Sequence, residues 1–116
     1  MRVLIVEDDR VLSLMLSMMV QRLGYRVAET LSEGEEAVQY VQEQQVELIL
    51  MDIMLEGVVD GIQAIRQIRD FSSVPVIYVT GNSDSTTLER AGKTGYADYL
   101  VKPVLIEHLK EAISKI

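Results

Sequence analysis

With 116 residues, 48% of them hydrophobic and 25% charged, the chain has the composition of an ordinary globular domain and fits one unit over residues 1–116. Its formal net charge of −7 disfavours direct binding of nucleic acid or an anionic membrane, and favours a metal cation or a basic protein surface. The lack of cysteine removes disulfides and thiolate metal sites and suits a reducing cytoplasm.

The first element is an aliphatic run at residues 3–6, which reads as a strand and stops abruptly at Glu7, Asp8 and Asp9. Asp9 suits the N-cap of the helix that follows. In that helix, residues 10–23, Arg10, Ser13, Ser17 and Gln21 form one narrow polar stripe and leave Leu, Met and Val around the rest. The expectation is a helix largely buried by its neighbours. The alternative is an exposed Met-rich strip, including Leu14 and Met18, that docks a partner helix. The apolar stretch at residues 11–20 is too short to span a bilayer, and acids precede it where a signal peptide carries positive charge.

A weaker, alternating run at residues 25–30 reads as the second strand, and Ser32 with Glu35 makes a capping box for the second helix. The third strand, residues 46–51, leads into Asp52. Ile62, Ile65 and Ile68 then mark a helix by their spacing. A fourth strand, residues 74–79, leads into Thr80, and the segment 82–92 has few apolar anchors beyond Leu88 and Ala91, which places it at the low-stability end of the fold. A fifth strand, residues 96–101, leads into Lys102. Ile106, Leu109, Ile113 and Ile116 give the last helix its apolar face, with the single histidine, His108, on the polar side as a surface residue. Strands without polar alternation, separated by helices, argue for an open parallel sheet covered on both faces.

In such a sheet ligands bind beyond the carboxyl ends of the strands. Glu7, Asp8, Asp52, Thr80 and Lys102 all fall there. Crowded carboxylates cannot all ionise comfortably unless a cation joins them, and Mg²⁺ takes oxygen ligands of this kind. With the charge partly neutralised, a carboxylate can attack a phosphoryl group and form an acyl phosphate. Asp52 is the candidate nucleophile because it stands alone at a strand end, whereas Glu7 and Asp8 adjoin as a chelating pair. Lys102 and the Thr80 hydroxyl could stabilise the equatorial oxygens.

The stretches V-L-I-V-E-D-D, L-I-L-M-D-I-M-L, V-I-Y-V-T-G and Y-L-V-K-P, in this order, resemble the receiver domain of two-component response regulators over essentially the whole chain. The resemblance implies a flavodoxin-like (βα)5 fold with strand order 2-1-3-4-5. It implies that Asp52 accepts phosphate from a sensor histidine kinase or histidine phosphotransfer protein. Asp8 would bind Mg²⁺ directly, Glu7 through water, and the Met54 carbonyl would complete the set. Lys102 would contact the phosphoryl oxygens, Thr80 would move toward them, and Tyr99 would change rotamer; the bond before Pro103 would be cis. Such a protein is a signalling phosphoacceptor, catalysing at most its own phosphorylation and dephosphorylation. Its output domain or target protein is left open between a stand-alone regulator and part of a longer protein. The pattern departs at one place, with Glu56 where many receivers carry proline and one extra residue before Asp60 and Gly61.

Three competing readings differ in class. A phosphatase resembling the haloacid dehalogenase superfamily would carry a second aspartate two residues after the nucleophile, where this chain has Met54. A flavodoxin-like cofactor binder would replace E-D-D-R with a Ser/Thr/Gly-rich phosphate loop. A receiver-like scaffold that is no longer phosphorylated would not need every acid.

Overall fold

The structure, a computed structural model, describes residues 1–81 and 84–116. Five strands and five helices alternate among them: β1 (Arg2–Val6), α1 (Arg10–Arg22), β2 (Arg26–Leu31), α2 (Gly34–Glu43), β3 (Leu48–Asp52), α3 (Gly61–Ile68), β4 (Val76–Thr80), α4 (Ser85–Gly92), β5 (Asp98–Val101) and α5 (Ile106–Ser114). The strands form one parallel sheet of order β2-β1-β3-β4-β5. The expected flavodoxin-like architecture is therefore present. Strand limits differ from the sequence reading by up to two residues: β3, β4 and β5 each start two residues later, and Asp52 and Thr80 belong to their strands.

Period-two alternation divides each central strand between two cores. Leu4 and Val6, Ile49 and Met51, and Val76 and Tyr78 pack with Ala37 of α2, Ile62, Ile65 and Ile68 of α3 and Ala91 of α4. Their neighbours Val3 and Ile5, Leu48 and Leu50, and Ile77 and Val79 pack with Leu16 and Val20 of α1 and Leu109, Ala112 and Ile113 of α5. Burying each such aliphatic side chain contributes about 1.5–3 kcal/mol, which explains why β1 beyond its partly exposed first residue Arg2, and β3 and β4 throughout, carry no charged residue before their carboxyl ends. No helix among the described residues is long and apolar enough to cross a membrane.

Two expectations are corrected. The second helix is not started by Ser32 and Glu35. Pairing of β2 with β1 continues through Leu31, so the helix begins later, and the reciprocal contact is made by Glu36, whose Oε1 accepts the Glu33 amide at 3.2 Å. The first helix is not largely buried. Leu16 and Val20 are buried, with Leu12, Met19 and Leu23 packed beside them, but Val11, Leu14, Met15 and Met18 are 70%, 62%, 45% and 60% exposed. A helix lying on one face of a sheet buries only the side turned toward it, and α5 occupies the rest of that face.

Candidate metal and phosphoryl site

The sheet register assembles the site. Val6 pairs with Met51, so Glu7, the next residue, emerges beside Asp52; Asp52 pairs with Val79, and Thr80 with Val101. Lys102 is held at that rim by its amide, which donates to the Thr80 carbonyl at 2.8 Å, and the Lys102–Pro103 bond is cis. Gly61 is dictated by proximity: a Cβ there would run into the Asp52 carbonyl, so only glycine lets α3 start directly against the strand end carrying that aspartate. The helix is fastened there by Asp60, whose Oδ1 accepts the Gln63 amide at 2.8 Å while Gln63 Oε1 accepts the Asp60 amide at 2.9 Å.

Glu7, Asp8 and Asp52 each offer an oxygen within 4.8 Å of the others. Glu7 and Asp52 are only 3% and 2% exposed. Lys102 Nζ lies 3.2 Å from Glu7 Oε1 and 3.4 Å from Asp52 Oδ2. Glu7 Oε1 is nonetheless a buried acceptor without a well-directed hydrogen bond, its contact with Lys102 being one of charge. Burial is the main cause that pushes the Glu7 carboxyl up to about 7; hydrogen bonding toward Asp52 and the charge of that group add to it, while the Asp9 amide and Lys102 oppose it. Burial alone would lower the Lys102 pKa, but the charges of Asp52 and Glu7 outweigh it and raise the value.

Three carboxylates around one ammonium leave two formal negative charges in a poorly solvated place, and every donor is oxygen. Lys102 stands against Glu7 and Asp52 and offsets only one of the three charges, so the cluster is unfavourable unless a proton or a further cation joins it. The donor set therefore fits a hard divalent cation such as Mg²⁺. Glu7, Asp8 and Asp52 are the residues able to hold it, beside an open groove of about 770 Å³ lined by Glu7, Asp8, Arg10, Glu33 and Glu56.

The other expected residues fall as follows. Asp9 stands apart as the α1 N-cap, its Oδ1 accepting from the amides of Val11 and Leu12 at 2.9 and 3.2 Å. Thr80 is fully buried at the end of β4. Met54 follows Asp52 and donates its amide to Asp52 Oδ1 at 3.1 Å. Tyr99 is half-buried and meets Tyr96 edge to face at 6.1 Å, while Tyr96 meets Tyr78 at 5.5 Å. His108 is exposed on α5. Contacts that carried no sequence signal are the Glu56 amide on Asp8 Oδ2 at 3.1 Å, the Arg90 to Asp60 ion pair at 3.0 Å, and the Tyr78 hydroxyl to Thr94 Oγ1 bond at 2.8 Å.

Known proteins are similar to this chain in sequence and fold. The family model described as the response regulator receiver domain matches residues 3–114. A probable C4-dicarboxylate response regulator, DctR, of Halalkalibacterium halodurans is 38% identical over 116 residues, covering 98% of this chain and 50% of the relative. The transcriptional regulatory protein PdtaR of Mycobacterium tuberculosis is 34% identical over 112 residues, covering 97% and 54%. Among solved structures, the receiver domain of the sensor histidine kinase PA1611 of Pseudomonas aeruginosa, with a magnesium ion coordinated in its active-site cleft, superposes with a TM-score of 0.88 at 34% identity over 98% of this chain and 94% of that one. The chemotaxis protein CheY4 of Vibrio cholerae gives 0.89 at 25% identity, covering 99% and 97%. The chain spans about half the length of these curated relatives. Fold, rim and relatives agree: the chain belongs to the response regulator receiver domain family of two-component signalling.

Proposed function

We propose that Asp52 is the phosphoacceptor and that Glu7, Asp8, Asp52 and the Met54 carbonyl hold Mg²⁺ around it. The observation that carries this reading is the gathering of three acid oxygens within 4.8 Å at the ends of β1 and β3, with Lys102 against two of the acids. An Asp52 oxygen attacks the phosphorus of a phosphohistidine, and the phosphorus–nitrogen bond to the donor's imidazole breaks. Bound Mg²⁺ would neutralise charge on the phosphoryl oxygens. Lys102 supplies a second positive charge that is already in place, held by its carboxylate neighbours. Thr80, at the adjoining strand end, is the hydroxyl that reports phosphorylation, and Tyr99 the aromatic side chain that answers it.

The donor is a sensor histidine kinase or histidine phosphotransfer protein, a reading supported by membership of the response regulator receiver family. The exposed residues Val11, Leu14, Met15 and Met18 lie on the helix that begins at the rim, beside a groove of about 690 Å³ lined by Met15, Met18, Val104 and Leu105. Continuity with the rim makes this apolar strip the seat for the donor's histidine-bearing helix. The output domain or target then reads the change on the remaining surface, and residues 1–116 act as one receiver unit. Apart from handling its own phosphoryl group, such a domain signals and does not turn over substrates.

Incubation with acetyl phosphate and Mg²⁺ followed by intact mass measurement tests the reading. One added phosphoryl group is expected in the native chain and none in Asp52→Ala. Steady hydrolysis of many phosphomonoesters would overturn it in favour of a phosphatase, and no mass gain would point to a scaffold that is no longer phosphorylated.

A further inference from the structure

Each acid of the cluster has one oxygen taken by a backbone amide. Glu7 Oε2 accepts from Asp9, two residues on, at 3.1 Å, and Asp52 Oδ1 accepts from Met54, also two residues on, at 3.1 Å. The remaining oxygens of these two, Glu7 Oε1 and Asp52 Oδ2, converge on the Lys102 ammonium. Asp8 follows the same rule but by a different route. Its Oδ2 accepts at 3.1 Å from the amide of Glu56, 48 residues away on the β3–α3 loop.

That loop is shaped to deliver this one amide. Leu55 is buried and anchors the chain just before Glu56, and Gly57 turns it just after, with φ of 104°, a conformation that favours glycine. The side chains on either side of this anchored turn, Met54 and Val58, are 63% and 90% exposed. So the turn is held from beneath at Leu55 and over the site at Asp8. A carboxylate fixed through one oxygen can no longer rotate freely and keeps the other oxygen in one place.

We infer that Glu56 is a positioning residue of the metal site. Its backbone amide holds Asp8 by Oδ2 and leaves the second oxygen set for the ion, and the contact couples ion binding to order in the 53–60 loop. The inference rests on the reading that the acid cluster binds Mg²⁺. A hydrogen-bonded partner of this kind typically changes metal affinity by on the order of tenfold. Because coupling is reciprocal, the ion must also strengthen the contact that positions its ligand.

Proline has no amide hydrogen, so Glu56→Pro removes the donor, while Glu56→Gln removes only the side-chain charge and keeps the donor. Titration with MgCl₂, followed by the amide signals around Glu7, Asp8 and Asp52, should show affinity on the order of tenfold weaker in Glu56→Pro and within about twofold of native in Glu56→Gln. A second measurement needs no variant at position 56: in the native chain, hydrogen exchange at the Glu56 amide should slow severalfold when Mg²⁺ is added, and it should quicken in Asp8→Ala. If Glu56→Gln weakens binding as much as Glu56→Pro, the side-chain charge and not the amide is responsible and the inference fails. If native protein binds Mg²⁺ while Glu56 exchange is unmoved and Glu56→Pro binds equally well, the positioning role alone is overturned. If native protein shows no response to Mg²⁺, the metal reading falls and takes this role with it.

Discussion

A carboxyl group as enclosed as Glu7 ties folding to protonation. Its pKa of about 7 in the fold, against about 4.5 for an ordinary glutamate, means that the folded chain binds more protons than the unfolded chain between those two values. Stability from this group is therefore fully present below about pH 4.5 and is lost as pH rises through about 7. Urea midpoints measured from pH 4.5 to 8 should fall in the metal-free protein, fall less in Glu7→Gln, and recover in millimolar Mg²⁺. An equal fall in Glu7→Gln would refute this account of Glu7. A second residue-scale consequence concerns Gly61. A methyl group there meets the Asp52 backbone, so Gly61→Ala is expected to lose about 1–3 kcal/mol by overpacking, read as a lower urea midpoint at unchanged denaturant slope. The acids, Thr80 and Lys102 were legible because they interrupt or end aliphatic runs. Their partners were not, since an amide such as that of Glu56 has no signature in residue type.

Among the elements, α1 departs furthest from what its composition suggests. Its buried stripe is an ordinary amphipathic one, and Val11, Leu14, Met15 and Met18 form a second apolar face left open. The polar stripe of Arg10, Ser13, Ser17 and Gln21 could be read from the sequence, but which apolar side met the sheet could not, because both sides carry the same residue types. Met18→Ser, on the open side, should change stability by no more than about 0.5 kcal/mol while weakening association with the cognate phosphodonor. A large loss of stability with unchanged association in a pull-down or calorimetric titration would instead make Met18 a packing residue. The α4 helix was expected to be lightly pinned; the Asn82 and Ser83 part of that expectation lies outside the described residues. In α4 itself Ala91 is the buried side chain. Polar ties supplement it: Arg90 pairs with Asp60, and just beyond the helix Thr94 Oγ1 donates to the Ala91 carbonyl at 2.6 Å and bonds the Tyr78 hydroxyl. The ion pair is part-exposed and worth little by itself, so the Tyr78 and Thr94 contact, fully enclosed, is the firmer hold.

Across the whole molecule, these ties lay a physical path from the acid rim to the α4 side. Asp60 joins the loop after Asp52 to Arg90, and Tyr78, Tyr96 and Tyr99 stand edge to face in sequence from β4 to β5. A change at Asp52 that moves Thr80 and frees Tyr99 would have to remake the Tyr99 to Tyr96 contact, shifting the population of α4 conformations. Amide exchange with and without beryllofluoride and Mg²⁺ should therefore differ across residues 84–99 and be unchanged in the centres of β1 and β3. Identical protection across 84–99 would remove this route as the switch. The alternation of strands and helices, the sheet's buried centre and the rim residues Glu7, Asp8, Asp52, Thr80 and Lys102 could all be read from residue order alone. Those follow from hydrophobic period and from position at a strand's end, both local properties of the chain. Folding in three dimensions was needed to show which side of α1 lies open, that Glu36 instead of Glu35 closes the α2 start, and that Glu56, Arg90 and Thr94 reach Asp8, Asp60 and Tyr78. Directional contacts between distant segments depend on where loops place single atoms, and no period or composition encodes that.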